Sequence, residues 1–401
     1  MTRDERPTRV LQSFPHKIGA ARICQTAWYQ AAGVAEAGAD LLVMPGAVQQ
    51  ELPAGIEVRP TLARGRVRIP YKALGAMRAF KLHDRLVAAA LPKLAHRIDI
   101  VHAWPLGALE TLRTARRLGI PTVLERPNAH TRFAYEVVRD ECERIDVELP
   151  VDHEHAFNEA ILGREEAEYA LADRLLCPSE FVVDTFLERG HAPEQLVRHI
   201  YGYDETQFRP PAEPRPDGDG LTAVFVGVAA VRKGLHFALE AWLRSPASEN
   251  GTFLIAGEFL PDYEAKLAPL LAHPSVHALG HRNDVPELMR RSDVMVLPSI
   301  EEGFGLVCVE AMGSDCVPLV SDACTDVCVH ERNSLVHHVG GVDALAGHFT
   351  ALHRDRRLLA RLREACRADA PQVTWTAAGA RLLEVYDEVV DGARSASPVA
   401  A

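Results

Sequence analysis

The residues with the most chemistry in their spacing lie in one stretch, Ser292-Asp-Val-Met-Val-Leu-Pro-Ser-Ile-Glu-Glu-Gly-Phe-Gly-Leu-Val-Cys-Val-Glu-Ala-Met-Gly313. Its apolar start reads as a buried strand, Gly303-Phe304-Gly305 as a turn, and the apolar remainder as a helix. A strand, a glycine turn and a helix start make an anion-receiving arrangement. Free backbone N–H groups near Gly305 and Leu306 point outward, backed by the helix dipole. Glycine lets the backbone approach a ligand closely. Glu302 falls at the strand's carboxyl end, where open α/β sheets bind ligands, and Glu310 about one turn into the helix. Two carboxylates repel a phosphate itself. They suit the hydroxyls flanking one, a ribose on one side and a hexose on the other.

The rest of the chain must hold that stretch in place. Short apolar runs alternate with helix-like patterns over most of the length. Residues 9–14, 41–44, 98–102, 122–125 and 174–177 read as one series of strands. Residues 223–228, 252–256, 276–279, 294–297 and 317–321 read as a second, with helical spacing in segments such as 106–118 and 236–242. This alternation predicts parallel sheets covered on both faces. Two series predict two doubly wound α/β domains, as a 401-residue chain requires when single cores stop growing at roughly 250–300 residues. The break falls at 209–220, where Pro and Gly are too dense to continue a helix or a central strand.

Composition narrows the function class. A net charge of −11 argues against non-specific nucleic-acid binding. Hydrophobic residues at 47% and charged residues at 25% are ordinary for a globular protein, and no apolar run approaches the roughly 20 residues of a membrane span. The start, Met1-Thr-Arg-Asp-Glu-Arg-Pro, has acids and no apolar h-region, so a cytoplasmic enzyme is the expectation. Scarce lysine beside abundant arginine and alanine points to a GC-rich bacterial source. The 8 cysteines read as reduced core thiols; Cys308, Cys316, Cys324 and Cys328 lack the short Cys-x2-Cys pairing of structural zinc sites. Asp152-His-Glu-His155 reads as surface and Asp217-Gly-Asp219 as linker. A basic block over 59–97 and an acidic block over 136–168 read first as solvated helix faces. The basic block could meet an anionic membrane surface, a reading not favoured here, and the acidic block a cationic acceptor.

Glu302, seven residues and Glu310 match the Glu-x7-Glu motif of retaining glycosyltransferases. The surrounding Pro-Ser-x-x-Glu-Gly-Phe-Gly-Leu-x-x-x-Glu-Ala-Met-Gly resembles glycosyltransferase family 4, whose fold is called GT-B. Other stretches resemble the same family: Asp99-Ile-Val-His-Ala103, Gly119-Ile-Pro-Thr-Val-Leu-Glu-Arg-Pro-Asn-Ala-His130, Ala172-Asp-Arg-Leu-Leu-Cys-Pro-Ser179, Gly227 with Arg232-Lys233-Gly234, and Trp375 with the helix toward Tyr386. The resemblance implies two Rossmann-like domains facing across a cleft. An acceptor-binding domain would cover 1–208, a nucleotide-sugar-binding domain 209–374, and a helix over 375–392 would cross back.

The resemblance also implies roles. Glu310 would hold the ribose hydroxyls and Glu302 contact the donor sugar. Arg232 and Lys233 would neutralise the departing diphosphate. His130 would touch the donor sugar from the facing domain, and the backbone at His281 and Arg282 would cradle the base. Gly19, Gly227, Gly303, Phe304, Gly305 and Leu306 complete the implied donor side; His102 and His130 form the implied acceptor side. Glu302, His130, Lys233 and Arg232 form the implied catalytic set. The implied reaction moves a sugar, with retention, from a nucleoside-diphosphate sugar to the hydroxyl of a small soluble acceptor, with no metal or other cofactor. The chain departs from the family at Val228, where Arg is common, at Ile18-Gly19-Ala20, at Trp104 and at Ala323-Cys-Thr-Asp326. Arg232 is therefore expected to replace the guanidinium missing at Val228. The alternatives are an epimerase or phosphorylase of the same fold, and a non-catalytic subunit that binds a sugar nucleotide.

Overall fold

The structure is a computed structural model, and it describes residues 6–64, 67–68, 74–213 and 220–396. In chain order the first half supplies β1 (Arg9–Ile18), β2 (Asp40–Val48), β3 (Glu57–Val58), a separate antiparallel hairpin of β4 (Ala63–Arg64) and β5 (Val67–Arg68), then β6 (Ile100–Ala103), β7 (Thr122–Glu125), β8 (Arg174–Cys177) and β9 (Leu196–Arg198). They form a parallel sheet in the order β3-β2-β1-β6-β7-β8-β9. The second half supplies β10 (Thr222–Val226), β11 (Thr252–Ala256), β12 (Val276–Gly280), β13 (Val294–Leu297), β14 (Val317–Ser321) and β15 (Leu335–His337). These form a second parallel sheet, β12-β11-β10-β13-β14-β15.

Alternation along each strand explains why both faces are covered. In the first sheet Leu11, Val101, Leu124 and Leu175 point into one apolar cluster, and Val10, Ile100, Val123 and Leu176 into the other. The strands of a parallel sheet are buried on both sides, so they carry nearly unbroken apolar runs. In each sheet the winding reverses once, between β1 and β6 and between β10 and β13. Ligands of open α/β sheets bind outside the carboxyl ends of the strands at such a reversal. That places the loops after β10 and β13 on either side of the expected binding crevice.

Two helices tie the halves together. The last, Trp375–Ala396, returns to the first sheet and lies along helix Ile23–Glu36. Gly33 and Gly379 let the two backbones touch; a Cβ on Gly379 would lie 2.2 Å from the Gly33 carbonyl carbon. Helix Thr131–Ile145 leans the other way: Val138 and Cys142 enter the second core, and Glu141 Oε1 sits 2.6 Å from His236 Nε2. Arg144 also meets Glu141, Glu165 meets Arg126, Glu166 meets Arg132, and Glu168 is buried against backbone N–H groups. Glu165 and Glu168 are thus taken up by internal partners, while Asp140, Glu143, Asp146, Glu148, Asp152, Glu154 and Glu159 of the acidic block are exposed as expected.

Strand β1 continues past its expected end to Ile18. The short strands β9 and β15 carry too few apolar residues to be read from sequence. Asp217 and Asp219 lie outside the described residues, as does part of the basic block. Among the described residues no helix is long and apolar enough to cross a membrane.

Candidate active site

Two loops meet at the reversal point of the second sheet. After β10, Gly227 turns with φ +139°. A short 3-10 turn, Val231–Lys233, presents Arg232 and Lys233 before Gly234 (φ +66°) opens helix Leu235–Arg244. Gly234 has no room for a side chain, since a Cβ would lie 1.9 Å from the Pro298 carbonyl oxygen. The Ile300 N–H donates to the Arg232 carbonyl at 2.9 Å. The loop after β13 is therefore clamped to the loop after β10. Gly305 (φ +74°) then opens helix Leu306–Gly313. The first N–H groups of any helix lack intrahelical acceptors.

The charges follow from that clamp. Lys233 Nζ pairs with Glu302 Oε2, and Arg232 Nη1 lies 3.6 Å from the same oxygen. Ser299 Oγ and the Gly303 N–H donate to the carboxylate, each at 3.3 Å. Burial resists the ionised form of Glu302, but Lys233 and Arg232 outweigh it and hold the carboxyl below its ordinary range. Burial disfavours a charged Arg232 as well, and Glu302 and Glu301 reverse this to raise its pKa. Glu310 differs. It is half-buried, and burial without a charged neighbour pushes its carboxyl up to about 7.

Arg232, Lys233, Glu302, Gly303 and Gly305 are thus brought together, with Gly227 on the same loop and Leu306 and Glu310 on the adjoining helix. Phe304 is an anchor: its ring is buried 5.6 Å from that of Tyr201, so the turn offers backbone rather than a side chain. His281 and Arg282 follow Gly280 at the end of β12, exposed, with their side chains turned to Asn283 and Asp284. Gly19 (φ +75°) ends β1, pressed so near Gln50 that a Cβ would lie 2.4 Å from the Gln50 Cβ.

The two histidines of the implied acceptor side are buried in this structure. His130 Nδ1 accepts the Arg132 N–H at 3.2 Å, capping helix Thr131–Ile145. Its ring packs against Tyr169 and Phe186 and is 3% exposed. Burial, with Arg126 nearby, pulls its pKa down to about 3. A ring fixed as a cap in an aromatic cage is not presented to a sugar in this structure. His102 is fully buried, with Nδ1 2.7 Å from the Tyr386 hydroxyl and Nε2 3.1 Å from Glu125 Oε2. Glu125 also accepts from the Tyr201 hydroxyl at 2.7 Å and from Gln30 at 2.8 Å. Burial resists ionisation of Glu125, and His102 outweighs it to keep the carboxyl low. This network joins the returning helix to the first sheet, with His102 enclosed in it.

Two residues escaped the sequence reading. Glu301 is fully buried and its Oε2 sits 3.2 Å from both Arg232 Nη1 and His155 Nε2. Asp152-His-Glu-His155, read as surface, therefore places His155 against the second domain, 6% exposed. The only signal was the doubled glutamate, of which the motif accounts for the second. Among the described residues no cysteine is joined in a disulfide, and no group of three or more His, Cys, Asp or Glu is arranged to hold a metal ion.

Residues 220–355 match the family model described as Glycosyl transferases group 1. That segment carries both site glutamates, Arg232 and Lys233. With two doubly wound sheets and this loop pair, the chain is a glycosyltransferase of the GT-B fold. It is 26% identical to a D-inositol 3-phosphate glycosyltransferase of Salinispora arenicola, over 89% of this chain and 85% of that protein. It is 30% identical to the N,N'-diacetylbacillosaminyl-diphospho-undecaprenol alpha-1,3-N-acetylgalactosaminyltransferase of Campylobacter jejuni, but that match spans 29% of this chain and 31% of the relative. Among solved structures, Anabaena HepE in complex with UDP superimposes with a TM-score of 0.65 at 18% identity, covering 95% of this chain and 100% of that one.

Proposed function

We propose that the chain moves a sugar, with retention, from a uridine-diphosphate sugar to a hydroxyl of a small-molecule acceptor. The observation that carries this is the meeting of Lys233, Arg232 and Glu302 at the carboxyl ends of β10 and β13, beside the start of the helix that holds Glu310. As the glycosidic bond breaks, negative charge gathers on the departing β-phosphate. Preorganised donors must meet it. Lys233 supplies a point charge, Arg232 a planar fork, and the helix start backbone N–H groups. Glu302 receives sugar hydroxyls, and Glu310 the ribose hydroxyls. The acceptor attacks on the face the diphosphate leaves, and the leaving phosphate takes its proton. These cations do the work of a metal, so none is required.

UDP in the HepE structure supports the uridine base. The Salinispora relative, named for a small polyol phosphate, supports a small acceptor. The test is nucleoside diphosphate release from a panel of nucleotide sugars, with and without candidate acceptors. Release from uridine donors is expected. Release from guanosine or adenosine donors alone overturns the base, and no release from any donor overturns the donor class.

A further inference from the structure

Glu301 has no part in the roles above, yet it is the most completely enclosed carboxylate of the site. Its partners come from both sides of the cleft. Arg232 of the second domain donates Nη1 to Glu301 Oε2 at 3.2 Å and to the Glu301 carbonyl at 2.9 Å. From the first domain, His155 Nε2 lies 3.2 Å from Oε2, and the Ala129 N–H donates to Oε1 at 3.2 Å. A buried charge is tolerated only when paired and hydrogen-bonded. Here two of the three partners of the carboxylate belong to the facing domain.

Neighbouring contacts lie on the same seam. Ser179 Oγ donates to the Gly303 carbonyl at 2.6 Å. A Cβ on Gly303 would lie 1.7 Å from the Pro127 carbonyl oxygen. The 127–129 strip is itself held from behind, where Arg126 donates to the Ala129 carbonyl at 3.2 Å and to Glu165 Oε1 at 3.0 Å. Glu301 and Glu302 are adjacent in the chain. The first meets the opposite domain, and the second meets Lys233.

We propose that Glu301 and His155 are positioning residues for the transfer reaction: they latch the cleft shut and hold the Glu302–Gly305 turn in its donor-receiving shape. Neither touches a reacting atom; both act through Arg232 and the turn. With the cleft apart, Glu301 keeps Arg232 alone and its charge falls wholly on that guanidinium. With the cleft shut, His155 and Ala129 share that charge, and more of Arg232 is left for the leaving phosphate. A latched seam also keeps water from the donor. The proposal rests on the reading of Glu302 and Lys233 as donor residues, but its structural half can be measured without it.

The test compares wild type with His155→Ala, and with His155→Gln, whose amide can replace the Nε2 donor. Each is read by small-angle X-ray scattering with uridine diphosphate and by steady-state kinetics. His155→Ala is expected to be more extended than wild type. Its kcat for transfer should fall by about tenfold or more, its share of donor lost to hydrolysis should rise, and its uridine diphosphate affinity should stay within about twofold. His155→Gln should recover both compactness and the transfer share. Wild-type scattering and wild-type partitioning in His155→Ala overturn the latch. Should wild type release no nucleoside diphosphate from any donor, the donor reading fails. The scattering comparison then decides the latch alone: unchanged compactness in His155→Ala overturns it, and extension reversed by His155→Gln upholds it. If His155→Ala does not fold, Glu301→Gln, which keeps the shape and loses the charge, carries the same comparison.

Discussion

Lys233 and Arg232 both reach the same oxygen of Glu302, yet their loss should read differently. Arg232 also neutralises Glu301, which is fully buried. Removing one partner of a buried pair costs about 3–5 kcal/mol, because the other charge is left uncompensated. Arg232→Ala should therefore lower the melting temperature clearly, and Glu301→Gln on top of it should restore part of the loss. Lys233→Ala leaves Glu302 with Arg232, Ser299 and the Gly303 N–H. It should melt near wild type while kcat falls by about 10²–10³, the usual scale for losing one charge-stabilising donor. Equal melting losses, or a wild-type kcat in Lys233→Ala, would contradict this division. Glu310 offers a pH test. Its carboxyl is raised to about 7 by burial, and the ionised form accepts stronger, charge-assisted hydrogen bonds from the ribose hydroxyls. Nucleoside diphosphate affinity should thus rise as pH climbs through about 7 and then level off. Glu310→Gln should lose about 1–3 kcal/mol of binding at high pH, together with that part of the pH dependence. The ligand's own ionisation is common to both proteins and cancels in their difference, measured by calorimetry. Identical affinity profiles would contradict the assignment.

At the scale of elements, the closeness of the turn after β13 to the first domain has a direct consequence. Gly303→Ala would put a methyl group 1.7 Å from a backbone oxygen, where no flexible side chain can give way. The expected outcome is a cleft held apart, with kcat reduced far more than nucleotide affinity. A kcat near wild type would show that the turn moves freely. The same region shows what was legible in the sequence. Strands 122–125, 174–177, 252–256, 294–297 and 317–321 stand where their apolar runs placed them. Such runs are what a strand buried on both faces requires. The strand, glycine turn and helix around Gly305 were equally legible, because φ +74° at the helix start demands glycine. The histidines were not. His102 lies in a buried strand and His130 caps a helix, and one-dimensional pattern cannot distinguish a ring facing a cleft from one facing Tyr386 or Tyr169. Glu301 and His155 meet across 146 residues of sequence, and no local periodicity encodes such a pair.

For the whole molecule, the proposed mechanism sets two cations and a helix start against the departing diphosphate, so full activity should survive chelation with EDTA. Loss on chelation that Mg²⁺ or Mn²⁺ restores would contradict a metal-free site. The central claim is retaining transfer from a uridine-diphosphate sugar, and the stereochemistry of the product tests it most directly. The enzyme is given an α-configured uridine-diphosphate sugar and an accepted alcohol, and the new glycosidic bond is read by proton NMR as it forms. On the proposed mechanism, Lys233, Arg232 and the Leu306–Gly313 helix start would hold the leaving group on one face, and the acceptor would enter on that face. The expected result is an α-glycoside, formed as uridine diphosphate is released. A β-glycoside, or nucleoside diphosphate released with no glycoside under any acceptor, would contradict the claim.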